Sequence, residues 1–450
     1  MCKTNVAQRS SNRSRNAWLQ RSMATRTVSY VESEVEQLTA TCRFLKNSTD
    51  SCGESSIANF RRNEIDVGAP IGHGGFSEVR RITRLDLTVL QQHDIEENPH
   101  RSQLAASAVD EFGECRYVIK HLKQDMLMNR SKFNQAAADL VLEAKFLEAL
   151  DHPNIIKIRG IPSSGTNAFG DGKHDGFFII LDHLDDTLSH RIQQWRAEPP
   201  CKGSKGIQNY AEKLKFAVQI ASAIEYLHDQ DMMYRDLKPD NVGFKCNDIQ
   251  LFDFGLCREL PEETPDQEQL FRMSGGVGTR RYMAPEIVNG SRYNLKADVY
   301  SFAMVLYEML SLERPSDIYN KEILDLLVCK DGQERPQQQR IAPEWPAEIQ
   351  ELLESAWSHD PTQRPCMKQI REKLEKLAAS VEEPKFSPLQ RTCKVLFNLS
   401  KHIVKACTSS FSSNDDPLST TLLKLPLLAG WIRYNCLTKQ YFYLHFYFLG

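Results

Sequence analysis

The chain has 450 residues, 41% hydrophobic and 26% charged, and its 56 Lys and Arg against 59 Asp and Glu leave a formal net charge of −3. This is the composition of a soluble globular protein with room for up to about three domains, and it excludes collagen-like, wholly disordered and disulfide-scaffold readings. So neutral a balance argues against nucleic acid as the main partner.

In chain order, the first 31 residues carry Lys3, Arg9, Arg13, Arg15, Arg21 and Arg26, several serines, and no acidic residue before Glu32. That fits either a transit peptide or a phosphorylatable disordered tail. Only a short stretch around Trp18, Leu19 and Met23 could form the amphipathic helix of a transit peptide, which favours the tail. Residues 1–60 are therefore expected to be a disordered, basic, Ser-rich tail. Short apolar runs broken by glycine follow between Asn63 and Gly160, with one helical stretch from about Lys132 to Leu150, where Leu140, Ala144, Leu147 and Leu150 recur at spacings of 3 and 4. Within them, residues 88–113 are polar and without sustained period, and read as a loop inserted between two strands, either plain surface or a docking element.

From Tyr210 onward the periodicity is helical, over 210–228, 297–310 and 347–357. Residues 378–450 form a C-terminal tail of uncertain order. Its longest uncharged runs after residue 418 are Leu425–Ile432 and Gln440–Gly450, well short of the roughly 20 residues a spanning helix needs. No transmembrane segment is expected; the tail either packs on its own domain or makes an interfacial contact. The 12 cysteines are scattered, the nearest two, Cys42 and Cys52, lying ten positions apart. With no hydrophobic signal near Met1 they read as reduced thiols of a cytoplasmic protein, with nuclear or organellar sites open.

Chemistry enters at IGHGGFSEV, Ile71 to Val79, where Gly72, Gly74 and Gly75 around His73 let backbone amides close over a polyphosphate. Lys120 ends the strand run YVIK. A lysine turned inward from an apolar strand needs an anion, and Glu143, on the buried stripe of the helical stretch, supplies one. The strongest signal is MMYRDLKPDN, Met232 to Asn241, followed by QLFDFG with Asp253, Phe254 and Gly255. Asn241 and Asp253 are hard oxygen donors suited to Mg²⁺. Asp236 can accept a proton from an attacking hydroxyl while Lys238 neutralises a moving phosphoryl group.

In this order and spacing the motifs resemble a eukaryotic protein kinase over about Asn63 to Leu377, which gives a kinase domain of 61–377 with the 88–113 insert inside it. The resemblance implies an α+β, bilobal protein kinase fold, with a small antiparallel-sheet N-lobe holding one main helix and a larger helical C-lobe. It implies ATP and Mg²⁺ in the cleft, with Ile71, Val79 and Val118 around the nucleotide and Lys120 on its phosphates, paired to Glu143. Asp182 to Leu184 would be the hinge behind the gatekeeper Leu181. Asp236 would be the base, Asn241 and Asp253 the metal ligands, and Ala284-Pro285-Glu286 the end of the activation segment. Asp298 would hold the catalytic-loop backbone and Arg364 would pair with Glu286.

Lys238 and Thr279 resemble the Ser/Thr kinases, in which the lysine meets the γ-phosphate and the threonine bridges it to the catalytic acid, and VGTRRYMAPE with DVYSFAMVLYEML is most like their tyrosine-kinase-like branch. The resemblance therefore implies a protein substrate with Ser or Thr acceptors. Ser77 replaces the third glycine of the phosphate loop. Tyr234 replaces the usual His before Arg-Asp and is expected to stack under Phe254. The rival reading is a nucleotide-binding scaffold without catalysis, which would be expected to lack Lys120, Asp236 or Asp253; all three are present. For regulation, the guanidinium of Arg235 calls for an anion, and Ser274 or Thr264 would provide one if phosphorylated, with Thr279 already occupied. Oligomeric state is not legible.

Overall fold

Along β4 (Tyr117–Leu122) and β6 (Phe178–Asp182) successive side chains point to opposite faces of a sheet, yet nearly all of them are buried. Both faces of the sheet must therefore be covered. The computed structural model describes residues 24–51, 57–89, 99–111, 113–198, 204–261, 269–315 and 345–382. In it, β4 and β6 are the central strands of a six-stranded sheet that also holds β1 (Ala58–Phe60), β2 (Ile65–His73), β3 (Ser77–Leu85) and β5 (Ile158–Pro162). The order is β1-β5-β6-β4-β3-β2, antiparallel except for the parallel pair of β1 and β5. One glycine permits that pair. Gly160 lies opposite Ala58, and a Cβ there would come within 3.0 Å of Ile180 Cδ1 and 3.1 Å of the Ala58 carbonyl.

One sheet face packs on α4 (Arg130–Ala149), the long helix expected from the 3-and-4 spacing. Its Asn129 side chain accepts the Lys132 amide as an N-cap. The other face carries Phe60, Ile82, Ile119, Phe178 and Ile180, and here the insert corrects its reading as a loop. Residues 99–106 form a helix, α3 (Pro99–Ala106), and Leu104, Ala105 and Ala108 cover this apolar cluster. Arg101 secures it, donating to Asn59 O at 2.8 Å and to the fully buried carboxylate of Glu64 at 2.7 Å. Without this roof the upper face of the sheet would be wet.

The expected tail of 1–60 is likewise corrected from residue 24 onward. Helix α1 spans 24–41 and α2 spans Arg43–Ser51, and β1 belongs to the sheet. Ala24, Thr27, Val28, Val31 and Val35 are buried in α1, a stripe at helical spacing made of small and β-branched side chains. Residues 1–23 lie outside the described residues.

The second lobe is built on α6 (Ser204–His228) and α8 (Lys296–Ser311), with α5 (Leu188–Ala197), α7 (Pro285–Val288), α9 (Ala347–Ala356) and α10 (Met367–Glu382) around them. Short strands carry its chemistry: β7 (Asp186–Thr187), β9 (Val242–Lys245) and β10 (Asp248–Leu251) form one sheet, β8 (Met232–Met233) and β11 (Arg258–Glu259) another. Fourteen consecutive residues of α8, Ala297 to Leu310, are buried. Among the described residues no helix is long and apolar enough to cross a membrane. The tail from 383 onward lies outside the described residues.

Candidate active site

The loop after β8 is held open by one buried carboxylate. Asp298, 1% exposed, accepts the backbone amides of Tyr234 and Arg235 at 2.8 Å each and lies 3.1 Å from His228 Nε2. This compensates the backbone of Arg235, whose φ of 67° is left-handed and unfavourable for a side chain of its size. Asp236 is presented at the turn that results. Lys238 Nζ donates to Asp236 Oδ2 at 2.6 Å and to Thr279 Oγ1 at 2.9 Å, and Thr279 Oγ1 donates to Asp236 Oδ1 at 2.8 Å. Asn241 Nδ2 donates to the carbonyl and to Oδ2 of Asp236, at 2.9 and 3.0 Å. The carboxylate is thus fixed by three neighbours. Thr279 gets this close because Gly278, with φ of 99°, lies against the loop, where a Cβ would fall 2.5 Å from Arg235 O.

Facing it from the first lobe, Lys120 Nζ contacts both oxygens of Glu143 at 2.7 Å and Asp253 Oδ1 at 2.9 Å. Burial opposes the charge on Lys120, but the carboxylates of Asp253 and Glu143 outweigh it and hold the ammonium above its usual pKa. The same lysine holds Asp253 below the usual carboxylate range, so Asp253 is ionised. A double-mutant cycle between Lys120→Met and Glu143→Gln should give a coupling of about 0.5–3 kcal/mol in nucleotide affinity; additive effects would remove the pair.

The donor set fits a magnesium ion. Asn241 spends its amide nitrogen on Asp236, which leaves the side-chain oxygen, and the Asp253 side chain is 44% exposed although one of its oxygens is on Lys120. Among the described residues there is no cluster of three or more His, Cys, Asp or Glu fit to hold a metal, so phosphate and water oxygens would complete the shell.

The match to a family model for the protein kinase domain covers residues 104–374. The chain belongs to the protein kinase family. It is 30% identical over 242 residues to the serine/threonine-protein kinase VIK of Arabidopsis thaliana, covering 52% of this chain and 49% of that one. To mitogen-activated protein kinase kinase kinase 7 of Drosophila melanogaster it is 27% identical over 266 residues, 57% of this chain and 35% of that. To the dual specificity protein kinase shkE of Dictyostelium discoideum it is 26% identical over 235 residues, 52% and 30% of the two chains. The chain thus spans half or less of the length of these relatives.

The match to the kinase model begins inside the insert, after the glycine loop, but β2 and β3 are paired with the rest of the sheet. Gly72 lies opposite Val79, and Val79 opposite Lys120, so Val79 and the lysine share a sheet face. Val118 and Leu181, opposite one another in the next register, are buried on that same face. At the hairpin tip Gly74 N–H donates to Ser77 O at 2.9 Å, and His73 lies 3.7 Å from Glu78. Ile71 is largely exposed, and Gly75 sits in open space.

At the expected hinge, the Asp182 side chain is engaged within the protein and not available to a nucleotide. Both its oxygens are taken by Arg159 at 2.8 Å, and Lys245 approaches Oδ2 at 2.5 Å. Burial opposes the charge, yet these two cations keep the acid below its usual range, so any adenine contact at 182 is a backbone one. Leu184 follows two residues later, its side chain against Gly243. Sequence reasoning missed Arg159 and Lys245: nothing in their local pattern marks them, since they lie 23 and 63 positions from Asp182.

Tyr234 meets Phe254 edge-on, with ring centroids 5.2 Å apart at 75°, and not in the stacked arrangement expected. Its hydroxyl donates to Phe252 O, a bond that dictates the ring's tilt. The Gly255 amide lies against the Asp253 carboxylate. Glu286 and Arg364 are joined at 2.6 and 2.9 Å, both buried. Arg235 donates to Leu256 O at 2.6 Å, to the exposed Ser274 Oγ at 2.9 Å and to Tyr293 OH at 3.3 Å. Among the described residues no carboxylate forms an ion pair with it. Thr264 lies outside the described residues.

Proposed function

We propose that the chain is an active Ser/Thr protein kinase that transfers the γ-phosphoryl group of ATP to protein hydroxyls. The observation that carries this reading is the closed network of Asp236, Lys238 and Thr279, opposite an intact Lys120 and Glu143 pair. Asp236 accepts the proton of the acceptor hydroxyl as the new P–O bond forms, and Lys238 offsets the charge on the phosphoryl oxygens. Lys120, kept charged, holds the phosphates in line. Asn241 and Asp253 would hold Mg²⁺, which when bound supplies positive charge to the phosphates. The acceptor is a Ser or Thr on a protein, a reading supported by Lys238 and Thr279, the residues that resemble the Ser/Thr kinases, bonded to each other and to Asp236. Incubating the chain with radiolabelled ATP, Mg²⁺ and a mixed peptide library tests this: label on Ser and Thr supports it, whereas nucleotide binding without transfer favours the pseudokinase scaffold.

Control through the activation segment belongs to the same proposal. Among the described residues Arg235 reaches only neutral oxygens, one of them the exposed hydroxyl of Ser274, and phosphorylation there would replace a neutral acceptor with about −1.5 to −2 of charge. Phosphatase treatment or Ser274→Ala is expected to lower activity several-fold, with Thr264→Ala as the comparison. Activity equal to untreated protein in all three would mean that the segment is ordered without phosphate. We place the chain in the cytoplasm within this proposal, on the thiols of Cys42, Cys115, Cys246, Cys257 and Cys366, which are all unbridged.

A further inference from the structure

Helix α4 is buried on more than its sheet side. Residues Leu140 to Ala144 are all buried in sequence, and five successive helical residues sweep through more than a full turn. The sheet covers one side. The other is contacted by the N-terminal helices, through Thr27 Oγ1 to Asn134 at 2.9 Å and Tyr30 OH to Gln135 at 3.2 Å, with α2 packed beside.

What seats those helices comes from the activation segment. Glu259, in β11, accepts the first two amides of α2, from Arg43 at 2.7 Å and Phe44 at 3.0 Å. This carboxylate satisfies orphan helix donors and complements the positive end of the helix. The Arg43 guanidinium closes the joint, 3.5 Å from Glu259 and 3.4 Å from Asp231, with the Leu260 and Pro261 carbonyls each at 3.3 Å. The preceding residue, Arg258, turns the other way and reaches Asp139 of α4 at 3.4 Å. Strand β11 pairs with β8, directly before Tyr234, Arg235 and Asp236. Three bodies therefore meet at β11: the catalytic loop, helix α4, and the N-terminal helices behind α4.

We propose that Glu259 is a positioning residue that, by capping α2, seats the N-terminal helices against α4 and so holds Glu143 in contact with Lys120. The inference rests on the kinase reading for its kinetic consequence, but the joint itself does not. It gives residues 24–51 a role in turnover, and it makes the first strand of the activation segment the place where that role is exerted.

The test uses the full chain. Glu259→Gln should lower kcat/KM for ATP about tenfold, within the range of typical coupling between sites. In a Glu143→Gln background, where the pair is already lost, the same substitution should cost less than about twofold, because a positioning residue has nothing left to position. A contribution to stability alone would lower both backgrounds equally; equal losses, or no loss in the wild-type background, overturn the proposal. Arg43→Ala, which keeps the capped amides and removes only the guanidinium, is expected to lose less than Glu259→Gln does, and if Glu259→Gln does not fold, Glu259→Asp, whose shorter side chain cannot reach both amides, decides the matter by the same pattern. If the unmodified chain transfers no phosphoryl group, the kinase reading fails separately, and amide hydrogen exchange decides for the joint. Faster exchange over residues 140–147 in Glu259→Gln then supports it, and unchanged exchange overturns it.

Discussion

Asp236→Asn is expected to bind ATP with wild-type affinity and to turn over at least about 10²-fold more slowly. The asparagine can keep its oxygen where Oδ2 accepts from Lys238 and Asn241, at 2.6 and 3.0 Å, and turn its amide nitrogen to Thr279 Oγ1, which then accepts instead of donating to Oδ1 at 2.8 Å, so the loop can stay in place. What disappears is the basicity that takes the hydroxyl proton. In the proposed mechanism nucleotide affinity is governed elsewhere, by Lys120 and the expected hinge, and should not follow. Turnover and ATP affinity measured on the same preparation check this: turnover within a few-fold of wild type would remove Asp236 from the role of base.

The second large effect is on stability. Arg364 has a side chain with 0% exposure, and all five of its N–H groups are satisfied. Nε donates to Ser358 O at 2.8 Å, and the two terminal nitrogens reach Glu286, Lys296 O and His359 O. Its plane also lies over the Tyr300 ring at 5.1 Å. Arg364→Ala strands the Glu286 carboxylate and three carbonyls together, and removing one partner of a buried pair costs about 3–5 kcal/mol. Its melting temperature should fall clearly below that of Asp236→Asn, which weakens one partly exposed pair, with Lys238, and leaves an amide that still accepts there. Coincident melting curves for the two variants would mean that water replaces the guanidinium at little cost.

The sequence was legible where chemistry is written in contiguous residues. Tyr234 to Asn241 and Asp253 to Gly255 carry most of the site in two short runs, and glycine, Pro239 and the charged residues of these runs have few other reasons to stand together. The long helices were legible for a different reason, as leucines at 3-and-4 spacing around Leu140 and Leu214 announce a buried stripe. Helix α1 was not. Its stripe is Ala24, Thr27, Val28, Val31 and Val35, side chains too small and too β-branched to stand out against the arginines and serines around them. Helix α3 was hidden because its reason to exist is the bare upper face of a sheet, a demand visible only after Phe60, Ile82 and Ile180 are brought together. The same holds for Glu64 with Arg101 and for Asp182 with Arg159: long-range charge pairs leave no periodic trace.

The joint at Glu259 also bears on how the chain reaches its native state. Arg43 and its capping carboxylate are 216 positions apart, and β1 must find β5 across some hundred residues. Contacts of this separation incur their loop-closure entropy before they return any stabilisation. At about 5–20 residues per second, the ribosome reaches Glu259 roughly 10–40 s after it has passed Arg43. Over that interval helix α2 has been made but the carboxylate that caps it has not. Helix α2 is thus among the last of these elements to be seated, long after its own synthesis.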